Sequence, residues 1–155
     1  MVGGDYNGQT LPRARSMSML NWVSGNGTDL ANLHGGWSGP EWRVYRKQSD
    51  FIDPGPSNSF VLLDEREDSI NDSFWVVDMT GYPNPAQHKM VDYPASYHNG
   101  AGGFSFADGH SEIKKWVDPR TTPILKRGGE LQLNIASPNN PDVQWLQDRA
   151  PRRKY

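Results

Sequence analysis

The chain contains no cysteine, which excludes disulfides, thiolate metal centres and thiol nucleophiles but leaves the compartment open. No stretch approaches the roughly 18 consecutive apolar residues of a membrane span, and the first residues carry no secretory leader. Charge of one sign is also missing: sixteen basic and eighteen acidic residues leave a net charge of -2, so nucleic acid is not an expected partner. Gly-x-Ser-x-Gly, the P-loop, the dinucleotide fingerprint and His-Glu-x-x-His are all absent. The serines have no assignable base, and no convincing active site is expected.

What remains is 155 residues, one domain's worth of chain, long enough to bury about 68–70% of its unfolded surface. The composition is polar, with a mean hydropathy of -0.78. Sixteen glycines and twelve prolines exceed the usual joint share of roughly 12%, which predicts short elements joined by long ordered loops. Six Trp, six Tyr and five Phe must then supply much of the core, since one aromatic side chain buries about 150–250 Å².

Residues 1–14 read as an irregular entry and Arg15–Val23 as a first strand. Asp29–Pro40 reads as loop, and Glu41–Lys47 alternates as extended chain. Gln48–Ile52 predicts a helical turn ended by Asp53-Pro54-Gly55-Pro56. Phe60-Val61-Leu62-Leu63 is a short apolar run that predicts a buried central strand, with Phe74–Met79 as its neighbour. Gly81–Ala95, with three prolines, predicts a long loop. Leu131–Ile135 alternates as a last strand. Asn140-Pro141-Asp142 is a helix start, with Asn as N-cap and Pro in the first turn, and Val143, Trp145 and Leu146 supply one apolar stripe over about two turns. The basic residues 149–155 read as a solvated tail. The fold class expected is α+β, predominantly antiparallel β: a small sheet with long Gly/Pro-rich loops and a short C-terminal helix.

The most informative stretch runs from Tyr97 to Trp116. A glycine-rich approach leads into Phe104-Ser105-Phe106, whose alternation is that of a half-buried strand. Asp108-Gly109 tolerates positive φ and predicts a two-residue hairpin turn. On the return strand Ile113 and Val117 fall on one face, with His110, Glu112, Lys114 and Trp116 on the other.

His98 is followed by nine residues and then Asp108-Gly109. This His-x9-Asp-Gly spacing resembles the C-terminal signature of a large bacterial family of prepilin-like proteins. Arg15–Met19, Asp64–Asp72, Val91–His98 and Phe104–His110 also look like family segments, in the family's order. The resemblance covers the chain from about Arg15 to Asp148 and makes 15–148 the globular head. It implies a structural role in an envelope or extracellular filament related to type IV pili and type II secretion pseudopili, with other copies of the chain or other pilin-like subunits as partners. Family members begin with a basic leader and a long hydrophobic helix; neither is present here, so the expectation is a head domain only, with no membrane insertion of its own. In the family that helix packs on one face of the sheet, which predicts an exposed apolar face here.

Three site readings remain. His98, Asp108 and His110 could ligate a zinc-like ion and centre a metal-dependent hydrolase, whereas Asp108 can equally bond backbone N–H groups at its turn and His98 can pin the hairpin's entry; the scaffold reading of His98, Asp108 and Gly109 is preferred. Asp64, Glu65, Glu67, Asp68 and Asp72 concentrate oxygen donors as calcium requires, without an EF-hand's spacing, and compete with a plain hydrogen-bonded loop. Asp64 and Glu65 as a glycosidase pair fail because adjacent strand residues point to opposite faces. Finally, Trp37, in a Gly-rich loop, could stack on a surface glycan, while Trp75 is expected in the core.

Overall fold

The computed structural model describes residues 16–23, 41–71 and 74–155. Seven strands and one α-helix are formed there, β1 (Met17–Leu20), β2 (Phe60–Asp64), β3 (Phe74–Trp75), β4 (Lys89–Met90), β5 (Ala101–Phe106), β6 (Ser111–Lys115), β7 (Ile135–Ala136) and α1 (Pro141–Gln147), with three single 3-10 turns at Gln48–Asp50, Pro56–Asn58 and Pro85–Gln87. Five strands make one sheet in the order β3-β1-β2-β5-β6, and β4 pairs with β7 separately. Every pair is antiparallel except β1 with β3. This is the expected α+β architecture.

β2 is central, as its apolar run predicts, but it is not uniformly buried. Phe60 faces Phe106 while Leu62 faces Ser105, so the register shifts at Val61. The extra residue is a bulge, and it puts both Phe60 and Leu63 on the core face.

The expected neighbour of β2 is displaced. β1 lies between β2 and β3, and β3 ends at Trp75 although its apolar run continues to Met79. Side chains take over from the ladder. Asn21 Oδ1 accepts from Val77 N–H at 3.1 Å and Asp92 Oδ2 from Val76 N–H at 2.6 Å. Trp22 Nε1 donates to Val77 O at 2.9 Å and Gln147 Nε2 to Asp78 O at 2.7 Å. The segment is buried because its backbone groups are satisfied this way.

One face of the sheet is closed. Leu20, Phe60, Leu63, Trp75, Phe104 and Phe106 pack there with Trp22, Trp42, Met79, Trp116 and Leu146. Phe104 is the hub: its ring meets Phe60, Trp116 and Trp145 edge-on at 5.1, 5.8 and 5.0 Å between centroids. The five tryptophans among the described residues therefore serve the core, as expected for Trp75.

α1 starts where the sequence predicts, with Asn140 Oδ1 accepting from the N–H groups of Asp142 and Val143. Val143 and Leu146 are buried and Trp145 packs at the rim. The proline-rich 81–95 segment is not all loop, since it contains β4, and the last strand is only Ile135–Ala136. Nor is the C-terminal stretch a solvated tail. Residue 42 bridges residue 153, Arg43 N–H donates to Arg152 O, and Lys154 N–H donates to Glu41 O. Extended chain at 41–43 offers unpaired backbone groups, and this segment satisfies them. Among the described residues no helix is long and apolar enough to cross a membrane.

Candidate functional site

The hairpin of β5 and β6 is present, with a different turn. Ser105 faces Ser111, Phe106 N–H donates to His110 O, and Gly109 N–H donates to Phe106 O. Ala107, Asp108 and Gly109 thus form a three-residue loop, with Gly109 at φ 94°. A type I turn followed by one left-handed residue is the usual geometry of that length, and the left-handed position is what Gly109 supplies. The expected two-residue turn is corrected accordingly.

Asp108 Oδ1 accepts from His110 N–H at 3.1 Å and lies 2.5 Å from His110 Nδ1. His110 Nε2 is 3.4 Å from Glu112 Oε1, and its ring stacks on Phe106 at 4.3 Å. The hydrogen bond to Asp108, then that to Glu112, pushes the imidazole up from its ordinary pKa, and His110 in turn holds the Asp108 carboxyl below the usual range.

His98 is elsewhere. It precedes β5, while Asp108 and His110 follow it, so six strand residues separate them, roughly 17–20 Å at about 3.3 Å per residue. The three side chains do not converge. His98 Nε2 instead lies 3.5 Å from Asp64 Oδ2, on a side chain 57% exposed. Asp64 Oδ2 also accepts from Gly103 N–H at 3.3 Å. A Cβ at residue 103 would sit 3.0 Å from that oxygen, so the carboxylate lies over the glycine. The approach to β5 needs its other glycines too: Gly100 is at φ 79°, and a Cβ at residue 102 would meet Ala95 O at 2.8 Å.

The acidic segment is dispersed among separate partners. Glu65 is 1% exposed and accepts from Ser18 Oγ. Asp68 is held by Arg66 Nε and Nη2 at 2.5 and 2.9 Å and by Lys126 N–H at 2.8 Å. Burial pushes the Asp68 carboxyl up, but the Arg66 and Lys126 hydrogen bonds together outweigh it and leave the group below its ordinary pKa. Glu67 is paired with Tyr97 at 3.5 Å. Asp64 and Glu65 do point apart, as the strand period requires. Among the described residues no group of three His, Asp or Glu side chains is placed to hold a metal ion. Asp72 and Trp37 lie outside the described residues.

Among the described residues the second face of the sheet is left partly exposed. Met19 is in register with Leu62 and Phe74, and Leu62 with Ser105, while Ile113 is in register with Gly103. These residues share the face opposite the aromatic core. Met17 and Met19 are 39% and 37% exposed, and Ile113 is 71% exposed. Ile113 and Val117 do share a face, and it is the outward one. Strand patterning alone does not reveal which face is exposed, because exposed and covered strand faces can carry the same apolar residues; an exposed apolar face is expected only from the family resemblance.

Two buried polar groups also escape sequence reading. His88 places Nδ1 3.0 Å from Asn140 O and Nε2 3.2 Å from Gln144 Oε1. Asp142, fully buried, accepts from Lys114 Nζ, Asp118 N–H and Thr121 Oγ1 at 3.0, 2.9 and 3.0 Å. Only pairing across some twenty residues or more would have signalled either.

Fold and surface together define a small α+β domain with an antiparallel-rich sheet closed on one face and open on the other. Compared with family models, with curated proteins and with solved structures, the chain matches none.

Proposed function

We propose that the chain is the globular head of a pilin-like subunit that takes part in an envelope or extracellular filament, with other copies or other pilin-like subunits as partners. The observation that supports this reading is the second sheet face, where Met17, Met19, Leu62 and Phe74 form an apolar patch across three strands, with the Asp64 carboxylate over Gly103 between it and the exposed Ile113. Such a face invites a covering partner, as a filament head would require, and the ionisable residues singled out from the sequence that lie among the described residues are engaged in structural contacts.

Negative-stain electron microscopy of the purified chain, with calcium and with chelator, tests the reading. Ordered filaments or tubes are expected, lost in the double variant Met19→Lys, Ile113→Lys while its melting temperature is kept. Dispersed monomers under both conditions at the highest attainable concentration, with the open face freely solvent-exchanging, would overturn it.

A further inference from the structure

A cleft of roughly 470 Å³ lies where the 152–153 segment crosses 41–43, lined by Trp42, Asp53, Tyr82, Pro83, Arg152 and Arg153. The two rings meet edge-on, 6.1 Å between centroids at 74°. Each carries a guanidinium: Arg153 stands 5.4 Å from the Trp42 centroid and Arg152 5.1 Å from that of Tyr82.

The arginines differ in what they have left to give. Arg152 spends its two terminal nitrogens on the carbonyls of Gln147, Asp148 and Ala150 at 3.1, 2.8 and 3.1 Å, which fixes it at the end of α1. Arg153 is exposed and has no hydrogen-bond or ion-pair partner among the described residues. The Asp53 carboxylate is likewise exposed and unpartnered; only its backbone carbonyl is used, accepting from Tyr45 Oη at 2.6 Å. Tyr82 Oη is committed to Asp148 at 3.0 Å, and Arg152 stands over one face of its ring, so the ring is oriented and its other face is what remains to offer.

The cleft therefore presents the partly exposed Tyr82 ring, backed by the buried Trp42, together with an acceptor and a planar donor that have no hydrogen-bond partner among the described residues, with cationic charge in excess. A sugar ring has an apolar face that lies against aromatic carbons and a rim of hydroxyls that both donate and accept. The volume is within the roughly 300–1,000 Å³ of small-ligand sites. A guanidinium with no hydrogen-bond partner matches a carboxylate through two parallel hydrogen bonds. We propose that this cleft binds an acidic saccharide of the uronic-acid class. The carboxylate is taken by Arg153, a hydroxyl donates to Asp53, and the ring lies on Tyr82. The inference rests on the cleft alone and is independent of the filament reading, since it concerns the monomer.

Isothermal titration of the full chain with oligogalacturonate is the test, with neutral malto-oligosaccharide, polyglutamate and polyphosphate alongside. Oligogalacturonate is expected to bind in preference to all three. Arg153→Gln and Asp53→Asn should each weaken it by about ten-fold, the equivalent of one charge-assisted hydrogen bond. Lys47→Gln, outside this cleft, should leave it unchanged, and matching thermal melts would show the variants folded. Absent binding, undiminished affinity in Arg153→Gln, or equal affinity for polyphosphate or polyglutamate would each overturn the proposal.

Discussion

The imidazole Nε2 of His98 lies 3.5 Å from Oδ2 of Asp64, joining two segments that the sequence presents as separate motifs. Asp64 closes β2 and His98 precedes β5, two strands that are neighbours in the sheet. His98 is 57% exposed and Asp64 19%, and a solvent-accessible pair of this kind contributes about 0–1 kcal/mol. His98→Ala is therefore expected to lower unfolding free energy in urea by less than about 1 kcal/mol. A loss of several times that would show that the histidine holds the hairpin's entry.

The two best-defined histidines should titrate in opposite directions from the ordinary value of 6.5. Burial pulls His88 down against its hydrogen bonds to the Gln144 and Asn140 oxygens, while the Asp108 hydrogen bond raises His110. In the folded state His88 is the weaker base. Its contribution to stability is present above 6.5 and lost as pH falls through its lowered folded value. That of His110 is present below 6.5 and lost as pH rises through its raised value. Nuclear magnetic resonance titration of the imidazole protons should place His88 below His110; the reverse order would contradict the packing.

Asp142 ties α1 to the return strand and the loop after it through Lys114, Asp118 and Thr121. Removing one partner of a buried ion pair costs about 3–5 kcal/mol, because the other charge stays buried. Asp142→Ala should destabilise by that order in chemical denaturation, and Lys114→Met by less, since Asp142 keeps its N–H donors. Equal losses would mean that the ion pair, rather than the backbone contacts, carries the joint.

Gly102 has no room for a side chain, since a Cβ would meet the Ala95 carbonyl oxygen at 2.8 Å. Trp116 Nε1 donates to the same oxygen at 2.9 Å, so the clash would also disturb a core tryptophan. Gly102→Ala should cost about 1–3 kcal/mol and shift Trp116 fluorescence toward longer wavelength. An unchanged melting temperature would show that the segment ending at Ala95 yields freely.

Much of this architecture is legible in the sequence where the signal is local. Asn140-Pro141-Asp142 specifies its own helix start, and the Phe104–Gly109 run specifies a strand and turn. The turn's length was not legible, because Asp-Gly suits both a two-residue turn and a three-residue turn with a left-handed third position. β3 was placed beside β2 because two apolar runs in succession usually pair, whereas β1 fills that position. Its expected extent failed for another reason: Asn21, Trp22 and Asp92 replace a strand partner, and no local pattern announces side chains that do so. For the candidate sites, residue types in a row suggested shared ligands, but Asp64, Glu65, Glu67 and Asp68 turn to four different partners.

The place of β1 in the sheet has a consequence for how the chain folds. Both of its neighbours, β2 and β3, come later in the sequence, so β1 emerges with no ladder partner until Phe60–Asp64 has been made. The β5–β6 hairpin, by contrast, closes on three residues and can form on the microsecond scale of isolated hairpins. The hairpin is thus the most local pairing in the sheet, while β1, the strand made first, depends on its most distant ones, the kind that raises contact order and slows folding.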